Sequence, residues 1–153
     1  MDFADEFPSA TVIGNDLSPI QPTWVPPNCK FMVDDLESDW GYTASERFDY
    51  IHGRSLGGAI RDWDTLLIQV QKHLKEDGWL ELQQPESWIY SDDDPDLSNA
   101  PSALRWCQLI DEASTQFGKR VLIAPTLKQR LVDAGFEDVR DDVYKVCFPL
   151  RLC

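Results

Sequence analysis

Positive charge is scarce in this chain. Fourteen lysines and arginines stand against 27 aspartates and glutamates, a formal net charge of −13. Phosphate-backbone binding depends on clustered Lys and Arg, so no nucleic-acid partner is expected, and an anionic membrane surface finds nothing to attract. Histidine is rarer, at two, and neither His52 nor His73 has a Cys or His at metal-ligand spacing. The cysteines Cys29, Cys107, Cys147 and Cys153 form no CxxC pair. A metal site is therefore not expected, and reduced thiols are. No apolar run approaches the ~18 residues of a membrane span. The opening MDFADEF lacks the cationic-then-apolar order of a signal peptide. These absences point to an intracellular protein, cytoplasmic or nuclear.

One further absence bears on chemistry. Residues Val12 to Asp16 read as a short strand that ends in a carboxylate. Doubly wound α/β folds hold a nucleoside ribose in this way, with an acidic residue at the C-terminal tip of a buried parallel strand. The charged acceptor strengthens the hydrogen bonds from the ribose hydroxyls. The glycine-rich turn that precedes such a strand by about 20 residues is not in the sequence. Asp16 followed by Leu17 and Ser18 also reads as an ordinary turn, and Asp34–Asp35 as the solvated end of a strand.

What is present alternates between strand and helix. Residues 2–7 read as a helix end, with Phe3 and Phe7 at i, i+4. Strands are expected at 10–15, 29–33, 48–52, 79–83 and 139–146. An amphipathic helix is expected over 62–75, with Trp63, Leu67, Val70 and Leu74 on one face and Asp77–Gly78 as its stop. Residues 84–98 are polar and read as a loop. A second helix presents Ala103, Trp106, Cys107, Ile110, Ala113, Ser114 and Phe117 on one side. A third spans 125–134, with Pro125 in its first turn and Gly135 as its stop. Trp63, Trp79 and Trp106 read as packing residues, whereas Trp24, Trp40 and Trp88 lie in loop-like segments. Strands separated by helix-length segments imply parallel βαβ units.

The segments VIGNDLSPIQPTWVPPNCKFMVDDLE, FDYIHGRSLGGAIRDW, HLKEDGWLELQQPE and LKQRLVDAGFEDV resemble, in order, class I S-adenosylmethionine-dependent methyltransferases, and most of all the fungal LaeA-like group. The resemblance covers most of residues 1–145. It implies a Rossmann-like α/β fold with a mostly parallel sheet and flanking helices, lacking its first strand and glycine loop. Residues 1–146 would form a partial methyltransferase domain and 147–153 an irregular tail. The family has Pro-Gly-Gly where this chain has Glu76-Asp77-Gly78. The missing strand would lie between those at 10–15 and 48–52, which would leave a gap there or bring those two strands into direct pairing.

Carried onto this sequence, the resemblance makes Asp16 the ribose ligand and Leu17 the residue that packs on adenine. Asp35 would contact the adenine amino group, Leu36 would contribute backbone, and His52 and Arg54 would lie at the methionine side of S-adenosyl-L-methionine. Methyl transfer from a sulfonium chiefly needs alignment of donor and acceptor, so no catalytic residue is assigned. His52, Glu81 and Glu86 are the candidate bases near strand ends, and His52 also reads as a buried, hydrogen-bonded histidine. The expected partner is a methyl acceptor of unspecified identity, with a link to fungal secondary metabolism. The other reading is a non-catalytic α/β scaffold that works through a protein partner. With only the adenosine half of the site present, the 153-residue chain is expected to bind the cofactor weakly or not at all.

Overall fold

The computed structural model describes residues 1–43 and 45–146. The expected tail at 147–153, with Cys147 and Cys153, lies outside them. Eight elements follow in the order α1 (Asp2–Glu6), β1 (Val12–Asp16), β2 (Cys29–Val33), β3 (Phe48–Arg54), α2 (Trp63–His73), β4 (Leu74–Gln83), α3 (Pro101–Phe117) and α4 (Ala124–Asp133). They are the elements of a partial Rossmann-like α/β domain. The strands form two ladders, β1–β2 and β3–β4. β1 and β2 are parallel, with Val12 opposite Cys29 and Asp16 opposite Val33. β1 and β3 do not pair, so the direct pairing weighed above is not formed.

The contacts divide the chain into two compact units: Met1–Ile51 with Ile60–Glu81, and His52–Ala59 with the chain from Leu82 onward. In the first unit, α2 supplies most of the core. Its apolar stripe buries Trp63, Leu66, Leu67 and Val70, and the buried Gln69 and His73 flank that stripe. The helix begins where Asp62 accepts from the Thr65 N–H at 3.0 Å, a side-chain N-cap. Glu37 Oε1 accepts from the N–H groups of Arg61 and Asp62 just ahead of it.

Gln69 joins α2 to the loop that follows β2. Its Oε1 accepts from Trp40 N–H at 2.9 Å and its Nε2 donates to Ser38 O at 2.9 Å. The Trp40 indole donates to Leu36 O and lies 5.3 Å from the His73 ring. At the other end of the unit, Asn28 Nδ2 lies within 2.9–3.2 Å of the carbonyls of Ala4, Phe7 and Ala10. The Asn28 carbonyl accepts from Val12 N–H. One residue thereby closes the C-terminal end of α1 and starts the β1–β2 ladder.

In the second unit, Leu97, Cys107, Ile123 and Leu127 are buried. Pro101 opens α3, and Gly118, at φ 83°, closes it in the left-handed conformation that favours glycine there. Arg120 grips Asp111 through two bonds, Nε–Oδ1 at 2.7 Å and Nη2–Oδ2 at 2.8 Å.

Several expectations need correction. α2 ends at His73, and β4 starts at Leu74. The Asp77–Gly78 pair is therefore not a helix stop but an irregularity within β4. Asp77 takes φ 62°, and a Cβ on Gly78 would sit 2.8 Å from Leu74 Cγ. Residues 139–146 form no strand. Val143, Tyr144 and Val146 are exposed, and alternation alone cannot hold a strand that has no ladder partner. On α3 the protected stripe is narrower than its apolar residues imply. Cys107 is buried, whereas Trp106 and Phe117 are exposed. Trp79 is exposed as well, so of the three tryptophans read as packing residues only Trp63 is buried.

Two outcomes follow. Gln69→Leu keeps the side-chain bulk but strands Trp40 N–H and Ser38 O. A partly buried group left unpaired costs about 1–3 kcal/mol, and the loss should appear as a lower urea midpoint. The hydrogen bonds from Arg120 outweigh burial and hold the Asp111 carboxyl below its ordinary value. A lowered folded-state pKa adds stability above the ordinary carboxyl pKa, and that stability is lost as pH falls through the lowered one. Carboxyl-detected NMR should show Asp111 titrating low, and Arg120→Leu should return it to the ordinary carboxyl range.

Candidate functional site

The parallel register sets the geometry of Asp16, Leu17, Asp35 and Leu36, the residues that the resemblance assigns to the adenosine end. Because Asp16 is opposite Val33, Asp16–Leu17 and Asp34–Leu36 leave β1 and β2 at the same edge of one ladder. Asp34 N–H donates to Asp16 O at 3.1 Å and carries the ladder one step past β2. The structure thus brings Asp16, Leu17, Asp35 and Leu36 together.

Asp16 is half-buried, and its Oδ1 accepts from Ser18 N–H at 2.8 Å. This is the turn that its sequence context also allowed. It orients the carboxylate at the end of the strand, so the turn and the proposed ligand role use the same geometry. Leu17 is 68% exposed, an apolar face left open beside that carboxylate. Asp35 is exposed, with Oδ1 accepting from Glu37 N–H at 2.9 Å. Leu36 is half-buried, and its carbonyl is taken by the Trp40 indole. A directed carboxylate next to an exposed apolar side chain suits a group that combines a diol with a flat ring.

His52 and Arg54 belong to the other unit, on the C-terminal half of β3. Both are exposed, which corrects the reading of His52 as a buried histidine. The carboxylates weighed as bases are engaged. Glu81 accepts from the Tyr50 hydroxyl, and Glu86 from the Tyr90 hydroxyl. Burial and then the Glu81 bond push the Tyr50 phenol up to about 12. The bond to Glu86, ahead of burial, pushes the Tyr90 phenol up to about 12. Neither tyrosine was singled out from the sequence: Tyr50 and Glu81 lie 31 residues apart, and Tyr90 and Glu86 sit four apart in a polar segment read as a loop. Among the described residues, no group of three or more His, Cys, Asp and Glu could hold a metal ion, and no helix is long and apolar enough to cross a membrane.

Relatives share this chain's sequence over most of its length. Methyltransferase pytC of Aspergillus terreus is 38% identical over 146 residues, which are 93% of this chain and 43% of pytC. Methyltransferase cpsF of Aspergillus campestris is 34% identical over 119 residues, 78% of this chain and 42% of cpsF. The secondary metabolism regulator laeA of Aspergillus flavus is 32% identical over 155 residues, 99% of this chain and 40% of laeA. The chain spans less than half the length of these relatives. No solved structure matches it. The methyltransferase-domain family matches residues 2–141, and the chain belongs to that family.

Proposed function

We propose that this chain is the adenosine-binding part of an S-adenosyl-L-methionine-dependent methyltransferase acting on a small-molecule acceptor of fungal secondary metabolism. The observation that carries the reading is the register of β1 and β2, which sets Asp16 and Asp35 at one strand edge. Asp16 would accept from the ribose hydroxyls, Leu17 would cover one face of the adenine, and Asp35 would accept from the adenine amino group. Leu36 would contribute backbone contacts. When bound, the cofactor supplies an electrophilic methyl group. These residues bind and orient it, and none of them needs to act as an acid or base for that task.

The names of the relatives support the setting. Two are called methyltransferases and one a regulator of secondary metabolism. The reading as a non-catalytic scaffold draws on the exposed Trp106, Leu109 and Phe117 of α3, a face suited to a protein partner.

Titration of isotopically labelled protein with S-adenosylhomocysteine separates the two. Under the enzyme reading, shifts concentrate at Asp16–Ser18 and Asp34–Leu36. A hydrogen bond to a charged group is worth about 1.5–3 kcal/mol, so Asp16→Ala should weaken binding roughly 10- to 150-fold. Asp16→Asn, which keeps an oxygen for Ser18 N–H, should fall between. Equal affinity in all three proteins would remove the ribose role from Asp16.

A further inference from the structure

Serine is followed by proline at one place in this chain, Ser18–Pro19, and no threonine is followed by proline. The pair stands just past the tip of β1, within residues 17–28, which carry no helix or strand. Both ends of that stretch are fixed. Asp16 is the last residue of β1 and Cys29 the first of β2, and Pro26 is buried. Its first part is open. Leu17 is 68% and Ile20 74% exposed, and Ser18 and Pro19 are exposed between them.

The backbone of Ser18 is engaged and its hydroxyl is not. Its N–H donates to Asp16 Oδ1 at 2.8 Å. Its carbonyl accepts from Ile20 N–H at 2.8 Å and from Gln21 Nε2 at 3.2 Å. Among the described residues, no group bonds to Ser18 Oγ. The three bonds span at most three residues, so the turn can open without breaking the ladder. Pro19 already disfavours helical backbone at Ser18.

Charge near this hydroxyl is of one sign. Residues 1–29 contain no lysine or arginine, and Asp34 and Asp35 leave β2 at the same edge as Asp16. A kinase guided by basic residues finds none here. What distinguishes the site is its proline, which has no N–H. A pocket with no acceptor for the N–H after the target residue loses nothing with Pro19 and penalises every other residue. Proline-directed protein kinases select their targets in this way.

We propose that Ser18 is a phosphorylation site for a proline-directed protein kinase, and that the phosphate closes the Asp16 edge to its ligand. Ser18 Oγ attacks the γ-phosphorus of a nucleoside triphosphate, and the bond from that phosphorus to the β–γ bridging oxygen breaks. The nucleoside diphosphate leaves, and the hydroxyl proton passes to the base of the kinase. The product carries about 1.5–2 negative charges and three acceptor oxygens, two residues from the Asp16 carboxylate. A phosphate set beside carboxylates disrupts its surroundings by like-charge repulsion, and its oxygens compete with Asp16 for Ser18 N–H. The modification stands on the exposed Ser–Pro pair; its effect on a ligand rests on the reading of Asp16 as the ribose acceptor.

The test incubates the full chain with ATP, Mg²⁺ and an active mitogen-activated protein kinase, and maps the product by mass spectrometry. One phosphate should enter, at Ser18. Ser18→Ala keeps the N–H that Asp16 holds and should take none, and Ser18→Thr, which returns a hydroxyl, should restore the transfer. Pro19→Ala should slow it about tenfold or more, the penalty of one unmet N–H. The phosphorylated and unmodified chains are then titrated with S-adenosylhomocysteine, and the phosphate should weaken binding about tenfold. An unmodified chain, a phosphate at another residue, or a rate indifferent to Pro19→Ala overturns the site. Phosphate at Ser18 with unchanged binding overturns the closing of the edge. If phosphate enters at Ser18 while S-adenosylhomocysteine binds neither form, the modification stands and the ribose reading of Asp16 fails.

Discussion

The first unit depends on a carboxamide buried between a helix and a loop. Gln69 sits on the protected side of α2 and spends both ends of its amide on the backbone of the segment after β2, at Trp40 N–H and Ser38 O. That segment carries Asp35 and Leu36. Because its backbone polar groups are met by a side chain of the core helix, it runs against α2 without a regular element of its own. The Trp40 ring then covers His73, whose Nδ1 lies 2.8 Å from Gln69 O. Asp35 and Leu36 inherit their position from this contact on one flank and from the β1–β2 ladder on the other.

The ladder has an anchor of the same chemical kind. Asn28 gathers three carbonyls around its amide and starts β1 with its own carbonyl. Short strands of five residues have few ladder bonds to hold their register. A slip of one residue would turn every side chain to the opposite face. It would also carry Asp16 away from the edge where Asp34 and Asp35 emerge. Register here decides which side chains share the edge, and a carboxamide outside the strands helps to set it.

Much of this was legible from local pattern. The apolar spacing of Trp63, Leu67 and Val70 and the Gly135 stop each act within a few residues, and the helices they mark form. Strand tips bearing Asp16 and Asp35 were readable because a β-branched or apolar run that meets acidic residues marks where a strand leaves the sheet. The failures share a cause. Residues 139–146 alternate as a strand does, but alternation describes a surface and says nothing of a hydrogen-bonding neighbour. Trp79, Trp106 and Phe117 are apolar by composition and exposed by placement. Asp77–Gly78 reads as a chain stop, yet both residues lie within β4, because a left-handed residue can bend a strand as well as end a helix.

The sequence by itself determined most of the element types, the Gly135 stop, the acidic charge and the family to which the residues belong, since each depends on side chains close together in the chain. Tertiary structure alone decided which groups meet across long separations. Gln69 finds Trp40 across 29 residues, Tyr50 finds Glu81 across 31, and Gly57 finds Gln84 across 27. The carboxamide of Gln84 reads as an ordinary polar residue in a loop. Its orientation comes from the Gly57 N–H that its oxygen accepts. Hydrogen-bond satisfaction is a property of packed surroundings, and no spacing rule along a chain encodes it.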